Sequence, residues 1–474
     1  MAPLTSTGAG DPGGTAAQVV VGGTLAALAA ADALAASGRL VRLLLPRTGV
    51  GGGFMPVERD GRTLERGMRV LELRYEGVGA PPPLAEYEPG EHGHRPFVGI
   101  LDTWVRELVG DDNVVEVDPP ATFLGGRLGP EVLLSSDLSR AAELVGADDA
   151  RRIAAEAAAA AVAHGEAGWL APAEVAQLWQ ASLDDASVHH HGRTFHQRFL
   201  ASFTDKIRPA GGRDVVAALR RKLWVPLYWP KTVAEAFGGQ PVSFAPDRPF
   251  TVVRPGGMAP VVRALLQRLT DRGVDVVRYD SVARIEPAGQ HVRISLSDGR
   301  TEVADRPILG LSAGDLFAGA GIAYAPDKVR SVLAWVEVRE ADILTLPGFV
   351  HVVDPDVRAY RITPGALDAR AGARVLCVEL AHDVAKDAAA ATARGVLQQV
   401  GVLVDGATTR DLGVFAGPTF TDPTADSVVR HGAALAELRR LDMQAAVIGG
   451  VEVFGADSFN EHVIQGLHAA EFAA

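Results

Sequence analysis

The sequence predicts an α/β fold, on three observations. Gln18 to Leu45 reads as strand, glycine turn, helix and second strand; Val332 to Leu380 holds four short apolar or alternating runs bounded by turns; and Ala445 to Phe472 gives strand, turn and helix again. In the first stretch, Val19 to Val21 is a β-branched run and Gly22 and Gly23 supply the turn. Leu25 to Leu34 carries Ala and Leu at the density of a buried helix, Gly38 closes it, and Leu40 to Leu45 follows as a buried strand. A turn of this kind lets backbone approach a phosphate, and the helix N-terminus aims N–H groups and a positive dipole end at it. The three-glycine pattern is incomplete: Gly22 holds the first position, Thr24 the second and Ala27 the third, and Leu45 stands where an acidic ribose ligand belongs.

With 474 residues, 47 % hydrophobic and 22 % charged, the chain suffices for two or three ordinary globular domains. A formal net charge of −12 argues against nucleic-acid binding through a broad basic surface. The single cysteine, Cys377, excludes an internal disulfide and suits a reducing cytoplasm. No signal-peptide pattern and no apolar run of about 18 residues is present, so a soluble cytoplasmic protein is expected.

Residues 1–16, rich in Gly, Pro, Ser and Thr, are expected to be disordered. Gly51 to Gly53 form a second glycine element, Asp60-Gly61 turns a hairpin, and Gly67-Met68-Arg69 follows. Leu138 to His164 and Ala171 to Trp179 read as a helical insertion. It leads to the aromatic segment Trp224 to Thr232, in which Trp224, Tyr228 and Trp229 are flanked by Pro226 and Pro230. Val252 to Met258, a helix from Ala259 to Arg272, and the strands of Val274 to Leu296 come next. The runs Val332 to Val338, Phe349 to Val353, Ala359 to Ile362 and Arg374 to Leu380 predict an antiparallel sheet; Lys386 to Val400 is an amphipathic helix.

This order resembles the FAD-dependent amine oxidase, protoporphyrinogen oxidase and UDP-galactopyranose mutase superfamily. The residues that carry the likeness are the βαβ opening with its Gly-Gly cluster, the D-G hairpin with Gly67-Met68-Arg69, Pro255-Gly256-Gly257-Met258, Gly273-Val274 to Val276, Val282 to Ile285, and the closing strand, Gly/Asp turn and helix. It implies a discontinuous Rossmann-like FAD-binding domain (17–80, 249–325 and 406–474) and a substrate domain of antiparallel sheet and helices (81–248 and 326–405).

The resemblance implies FAD at Gly22, Gly23, Thr24, Gly52, Gly53, Val282, Asp457, Ser458 and Asn460, with Arg69 facing the flavin. Asp457 or Ser458 can equally serve as a helix N-cap. Trp224, Tyr228, Tyr360 and Arg361 are substrate-site candidates with Arg69. Tyr360 and Arg361 alternate on their strand, so one is expected in the cavity and the other out of it. His189, His190, His191 and His196 lack the accompanying Cys or carboxylate spacing of a metal site and read as a polar helix start over the cavity; no metal is expected. Arg220, Arg221 and Lys222 read as a solvated face or an anion subsite.

The expected activity is that of an FAD-dependent oxidoreductase, amine oxidase-like or mutase-like, on a small metabolite, in bacterial secondary metabolism. By resemblance, hydride passes from a substrate C–H to the flavin and O2 reoxidises it. No acid or base is assignable from sequence. Thr24 and Leu45 support the alternative of a flavoprotein fold that has lost FAD and works as a cofactor-independent enzyme or binding protein.

Overall fold

The computed structural model describes residues 17–75, 78–90, 93–134, 137–165, 172–243, 250–254, 257–368 and 372–472. The tail 1–16 and the pair Pro255-Gly256 lie outside the described residues. A five-stranded parallel sheet runs in the order Ala446–Val447, Ile308–Leu309, Gln18–Val21, Val41–Pro46, Asp275–Tyr279. Its strands come from widely separated stretches of the chain, as the expected α/β class requires.

The first helix, Leu25–Ala36, is apolar except for Asp32 and is buried on every face along Leu25–Asp32. It packs on the sheet, on the helix Met258–Asp271 and on the last helix, Phe459–Phe472. Its one charged residue, Asp32, is 2 % exposed, and its carboxylate is held by Arg268, Arg272 and the Trp104 indole N–H. Such a burial is tolerable only because the charge is paired and hydrogen-bonded.

Three glycines permit the close approach. A Cβ on Gly22, whose φ is +126°, would lie 2.1 Å from the Gly310 carbonyl oxygen; one on Gly310 would meet the Ala27 Cβ at 2.6 Å; one on Gly466 would meet the Ala26 carbonyl oxygen at 2.4 Å. Ala27, in the third position of the glycine pattern, thus serves helix-on-strand packing.

The second sheet has seven strands in the order Thr409–Thr421, Lys328–Arg339, Ala373–Leu380, Ala359–Asp368, Val350–Val352, Ala121–Leu124, Arg127–Pro130. It is antiparallel except between Val350–Val352 and Ala121–Leu124. The four runs expected to form it are all present, and the outer strands add to them. Thr409–Thr421, placed by the sequence reading with the parallel-sheet unit, pairs along Lys328–Arg339. The strand expected over Ala445 to Phe454 shortens to Ala446–Val447, because Gly449 and Gly450 take φ of +87° and +81° and turn the chain.

The insertion forms helices Ala147–His164, Pro172–Leu178, Leu183–His191 and further short turns around an aromatic core of Phe195, Phe199, Phe203 and Phe237. No helix among the described residues is long and apolar enough to cross a membrane.

The Gly466 contact yields a test. Gly466→Ala forces the last helix off the Ala26 carbonyl and is expected to lower unfolding stability by about 1–3 kcal/mol, the usual cost of overpacking. Urea denaturation measures it, and an unchanged midpoint would refute the tight approach.

Candidate functional site

Glycine turns meet at the N-terminus of the first helix. The Gly51 N–H donates to the Gly23 carbonyl at 2.7 Å, which docks the second glycine element against the first. Gly51 and Gly52 have φ of +81° and +59°, and a Cβ on Gly52 or Gly53 would meet nothing within 4 Å. Thr24 caps the helix: its hydroxyl donates to the Gly310 carbonyl at 2.7 Å and accepts the Ala27 N–H at 3.3 Å. Gly449 closes a third side, where a Cβ would sit 3.4 Å from Thr24 Oγ1. The Gln465 side-chain carbonyl, on the last helix, takes the Gly449 and Gly450 N–H groups at 2.8 and 3.1 Å. Sequence reasoning missed Gln465, whose position in a helical run carries no signal for it.

At the start of the last helix the polar side chains already have protein partners. Asp457 pairs with Lys222. Ser458 Oγ accepts the Glu461 N–H at 3.2 Å and so acts as an N-cap, a contribution of about 1 kcal/mol. Asn460, 4 % exposed, donates from its amide to the Glu72 carbonyl at 2.8 Å. Arg221 reaches the Glu72 carboxylate at 2.8 Å. Arg221 and Lys222 are therefore bridges from the helical insertion to the parallel-sheet unit, and neither belongs to a solvated face. Phe54 lies edge-on to Phe459 and His462, with centroids 6.0 and 5.5 Å away; burial pushes the His462 pKa down to about 4.

A second cluster lies where the segment Glu65–Arg69 crosses the face of the seven-stranded sheet. The Trp335 indole N–H donates to the Glu65 carbonyl at 2.7 Å, and a Cβ on Gly67 would touch the Glu379 carboxylate at 2.9 Å. Arg69 donates to the Met68 and Gly53 carbonyls, both at 3.0 Å, and thereby ties this segment to the second glycine element. Glu379 takes Arg361 Nη1 at 3.1 Å. Arg361 pairs in register with His351, whose Nδ1 is 2.8 Å from Glu131 Oε1. Glu131 also accepts the Leu133 and Leu134 N–H groups at 2.6 and 2.9 Å. Burial lowers the His351 pKa against the raising effect of Glu131, so the neutral ring donates from Nδ1 and keeps a lone pair on Nε2.

Several polar atoms of this cluster are buried with no hydrogen-bond partner among the described residues: both Glu65 carboxylate oxygens, Arg69 Nε, Arg361 Nε, Thr363 Oγ1 and His351 Nε2. Arg69 Nε lies 3.9 Å from Glu65. An unmade bond at a buried polar atom costs about 1–3 kcal/mol, so such a concentration on one face marks a place where polar ligand atoms or water belong.

Tyr360 and Arg361 do not divide between the two faces as expected. Ala359 pairs with Leu380 and Arg361 with Glu379, so Tyr360 is the extra residue of a bulge; its ring lies 5.6 Å from the Arg361 guanidinium carbon. Both residues thus stand at the charged cluster. Trp224, at φ +59°, caps a short helical turn and packs beside Met68 and Phe349 next to the same cluster. Tyr228 belongs to the insertion's core, with its hydroxyl on the Val132 carbonyl and its N–H donating to His191 Nε2 at 2.6 Å.

Val282 packs in the apolar cluster on the sheet face opposite the first helix. The histidines are not a polar helix start: they end the helix Leu183–His191 or follow it, with His190 and His191 buried and His196 3.9 Å from Asp184. No group of three His, Cys, Asp or Glu among the described residues is arranged to hold a metal ion.

No protein-family model and no curated protein matches the chain. Solved structures do. Reduced UDP-galactopyranose mutase aligns with a TM-score of 0.69 at 12 % identity over 97 % of this chain and 94 % of its own. A protein described as a protoporphyrinogen oxidase, from Exiguobacterium sp. 255-15, gives 0.62 at 13 % over 97 % and 99 %. Cyclohexylamine oxidase from Brevibacterium oxydans IH-35A gives 0.53 at 15 % over 96 % and 97 %. The chain shares the fold of these solved structures.

The backbone of the cleft fits a dinucleotide phosphate. It offers a helix N-terminus, glycine turns where any Cβ would intrude, and open space over Gly52 and Gly53. The side chains add nothing that reads one: Leu45 is 0 % exposed in the apolar core, and Thr24, Asp457, Ser458 and Asn460 are engaged by the protein itself.

Glu65 provides a pH test. Burial raises its carboxyl from an ordinary 4.5 to about 7, against the lowering pull of the Arg69 charge. Between those two values the native state holds more protons than the unfolded chain, so stability falls as pH rises through that window and is level above it. Glu65→Gln is expected to abolish a fall of about 3 kcal/mol between pH 4.5 and 7, read by urea denaturation across that range. An identical pH profile in the variant would contradict a raised Glu65.

Proposed function

We propose that the chain is an FAD-dependent oxidoreductase, amine oxidase-like or mutase-like, acting on a small-molecule metabolite. The observation that carries this reading is the convergence of the turns at Gly22-Gly23, Gly51–Gly53 and Gly449-Gly450 on the N-terminus of the first helix. On this reading the backbone at Gly22, Gly23, Thr24, Gly52 and Gly53 holds the phosphates, and Arg69 fixes the second glycine element from beneath. When bound, the flavin supplies two-electron chemistry. The chain's own contribution is a desolvated, charged wall of Arg69, Tyr360, Arg361 and Glu379 on which a polar substrate can be oriented, with Trp224 beside it. Val282, as a backbone contact to the adenine, and Asp457, Ser458 and Asn460, as contacts to the ribityl chain, belong to the same proposal; the last three must exchange their present partners to serve it.

The domain division inferred from the sequence, 17–80, 249–325 and 406–474 against 81–248 and 326–405, goes with this reading, except that Thr409–Thr421 belongs to the seven-stranded sheet of the second unit. So does a cytoplasmic setting in bacterial secondary metabolism.

A second reading is favoured by Leu45 and by the Lys222–Asp457 and Asn460–Glu72 contacts, which take up side chains a cofactor would use. On it, the fold has lost FAD and works as a cofactor-independent enzyme or binding protein.

Flavin uptake separates the two. The first reading expects bands near about 375 and 450 nm in the purified protein, or quenching of added FAD fluorescence. Gly53→Phe, whose side chain enters open space, is expected to weaken uptake at least about tenfold with stability unchanged to about 0.5 kcal/mol. A colourless protein that quenches no FAD contradicts the first reading and supports the second.

A further inference from the structure

The row His351, Arg361, Glu379 crosses adjacent strands on one face of the seven-stranded sheet, with Thr363 two residues beyond Arg361. Residues paired across neighbouring strands project to the same side. His351 is 0 % and Arg361 4 % exposed, yet His351 Nε2, Arg361 Nε and Thr363 Oγ1 have no hydrogen-bond partner among the described residues. The groups behind them are fully engaged. Glu131, 4 % exposed, is pinned by the Leu133 and Leu134 N–H groups and holds His351 Nδ1; Glu379 holds the Arg361 guanidinium by Nη1. The arrangement is therefore a fixed carboxylate–imidazole pair with its outer nitrogen free, beside a fixed guanidinium with a free N–H and beside a free hydroxyl.

We propose that Glu131 and His351 form a proton-accepting dyad which, with Arg361 and Thr363, makes a site for a small carboxylate bearing a neighbouring carbonyl or hydroxyl oxygen. Arg361 Nε–H takes the carboxylate and the Thr363 hydroxyl takes the neighbouring oxygen. His351 Nε2 accepts a proton from the adjacent carbon or hydroxyl. The electron pair of the broken C–H or O–H bond stays on the substrate as an enolate or alkoxide, and the imidazolium is held by the Glu131 carboxylate until the proton returns. His351 is the catalytic residue and Glu131 a positioning residue that fixes the tautomer. The Phe203 and Phe349 rings, 5.3 and 5.1 Å from the imidazole by centroid, edge the site and must shift to admit the substrate. The proposal holds whether or not the chain binds FAD.

Pyruvate in D2O is the probe for the full-length chain. Calorimetry measures its binding and proton NMR the loss of its methyl signal. Wild type is expected to bind pyruvate and to speed exchange. Arg361→Met is expected to weaken binding at least about tenfold. His351→Asn is expected to cut the exchange rate about a hundredfold and leave the dissociation constant within about threefold. Glu131→Gln, matched in volume, should lower the rate about tenfold at unchanged affinity, a split that a purely structural role would not produce. It also decides the matter should His351→Asn not fold, as judged by circular dichroism. Failure of folded wild type to bind pyruvate overturns the proposal. So does exchange that survives His351→Asn, or a pyruvate-soaked crystal showing only ordered water at His351 Nε2. Absence of flavin from the same protein leaves these outcomes unaltered, so this test and the flavin test fail independently.

Discussion

The close seating of the first helix governs the rest of the molecule. Gly22, Gly310 and Gly466 each stand where a methyl group would strike the backbone or Cβ of a neighbour at 2.1 to 2.6 Å, so the helix presses directly on sheet and last helix. Interiors packed to this density do not deform gradually, and a helix so held has its N-terminus fixed in space. That fixed end is what the Gly51–Gly53 and Gly449-Gly450 turns gather around. Asp32, clamped by two arginines on the far side of the same helix, stops it from sliding or rotating in its slot.

The second organising feature is electrostatic. The helical insertion reaches the parallel-sheet unit through Arg221 to Glu72 and Lys222 to Asp457, and the seven-stranded sheet meets it where Gly67 touches Glu379. Glu72 is largely withdrawn from water, so removing Arg221 alone costs more than that pair is worth when intact, whereas Asp457 is half exposed and its pair is worth less. Arg69 joins the two features, because its guanidinium holds the Gly53 carbonyl while its charge offsets Glu65 and Glu379. Glycine cleft and charged wall are consequently parts of one assembly.

Much of this was legible in the sequence where the determining contacts are local. The β-branched run with Gly22-Gly23 and the Ala-rich helix specify the opening unit. Asp60-Gly61, at φ of +50° and +73°, specifies its hairpin, and the alternating runs specify the sheet. What was not legible depends on partners far apart in the chain. Glu131 and His351 are 220 residues apart, Lys222 and Asp457 are 235 apart, and neither pair carries a motif. Tyr360 escaped a period-two reading because one bulge resets the faces. The histidine cluster misled because composition cannot distinguish imidazoles packed in an aromatic core from imidazoles facing a cavity. Leu45 and Thr24, by contrast, were readable at once as departures from a dinucleotide pattern, and the structure gives both a packing or capping role.

The central claim, that backbone at the helix N-terminus and the adjoining glycine turns forms a flavin-dinucleotide site, is tested most directly by amide hydrogen exchange with and without FAD. The account predicts slowed exchange confined to the amides of residues 22–26 and 51–54 when FAD is added. Exchange unchanged in both loops at saturating FAD would contradict it.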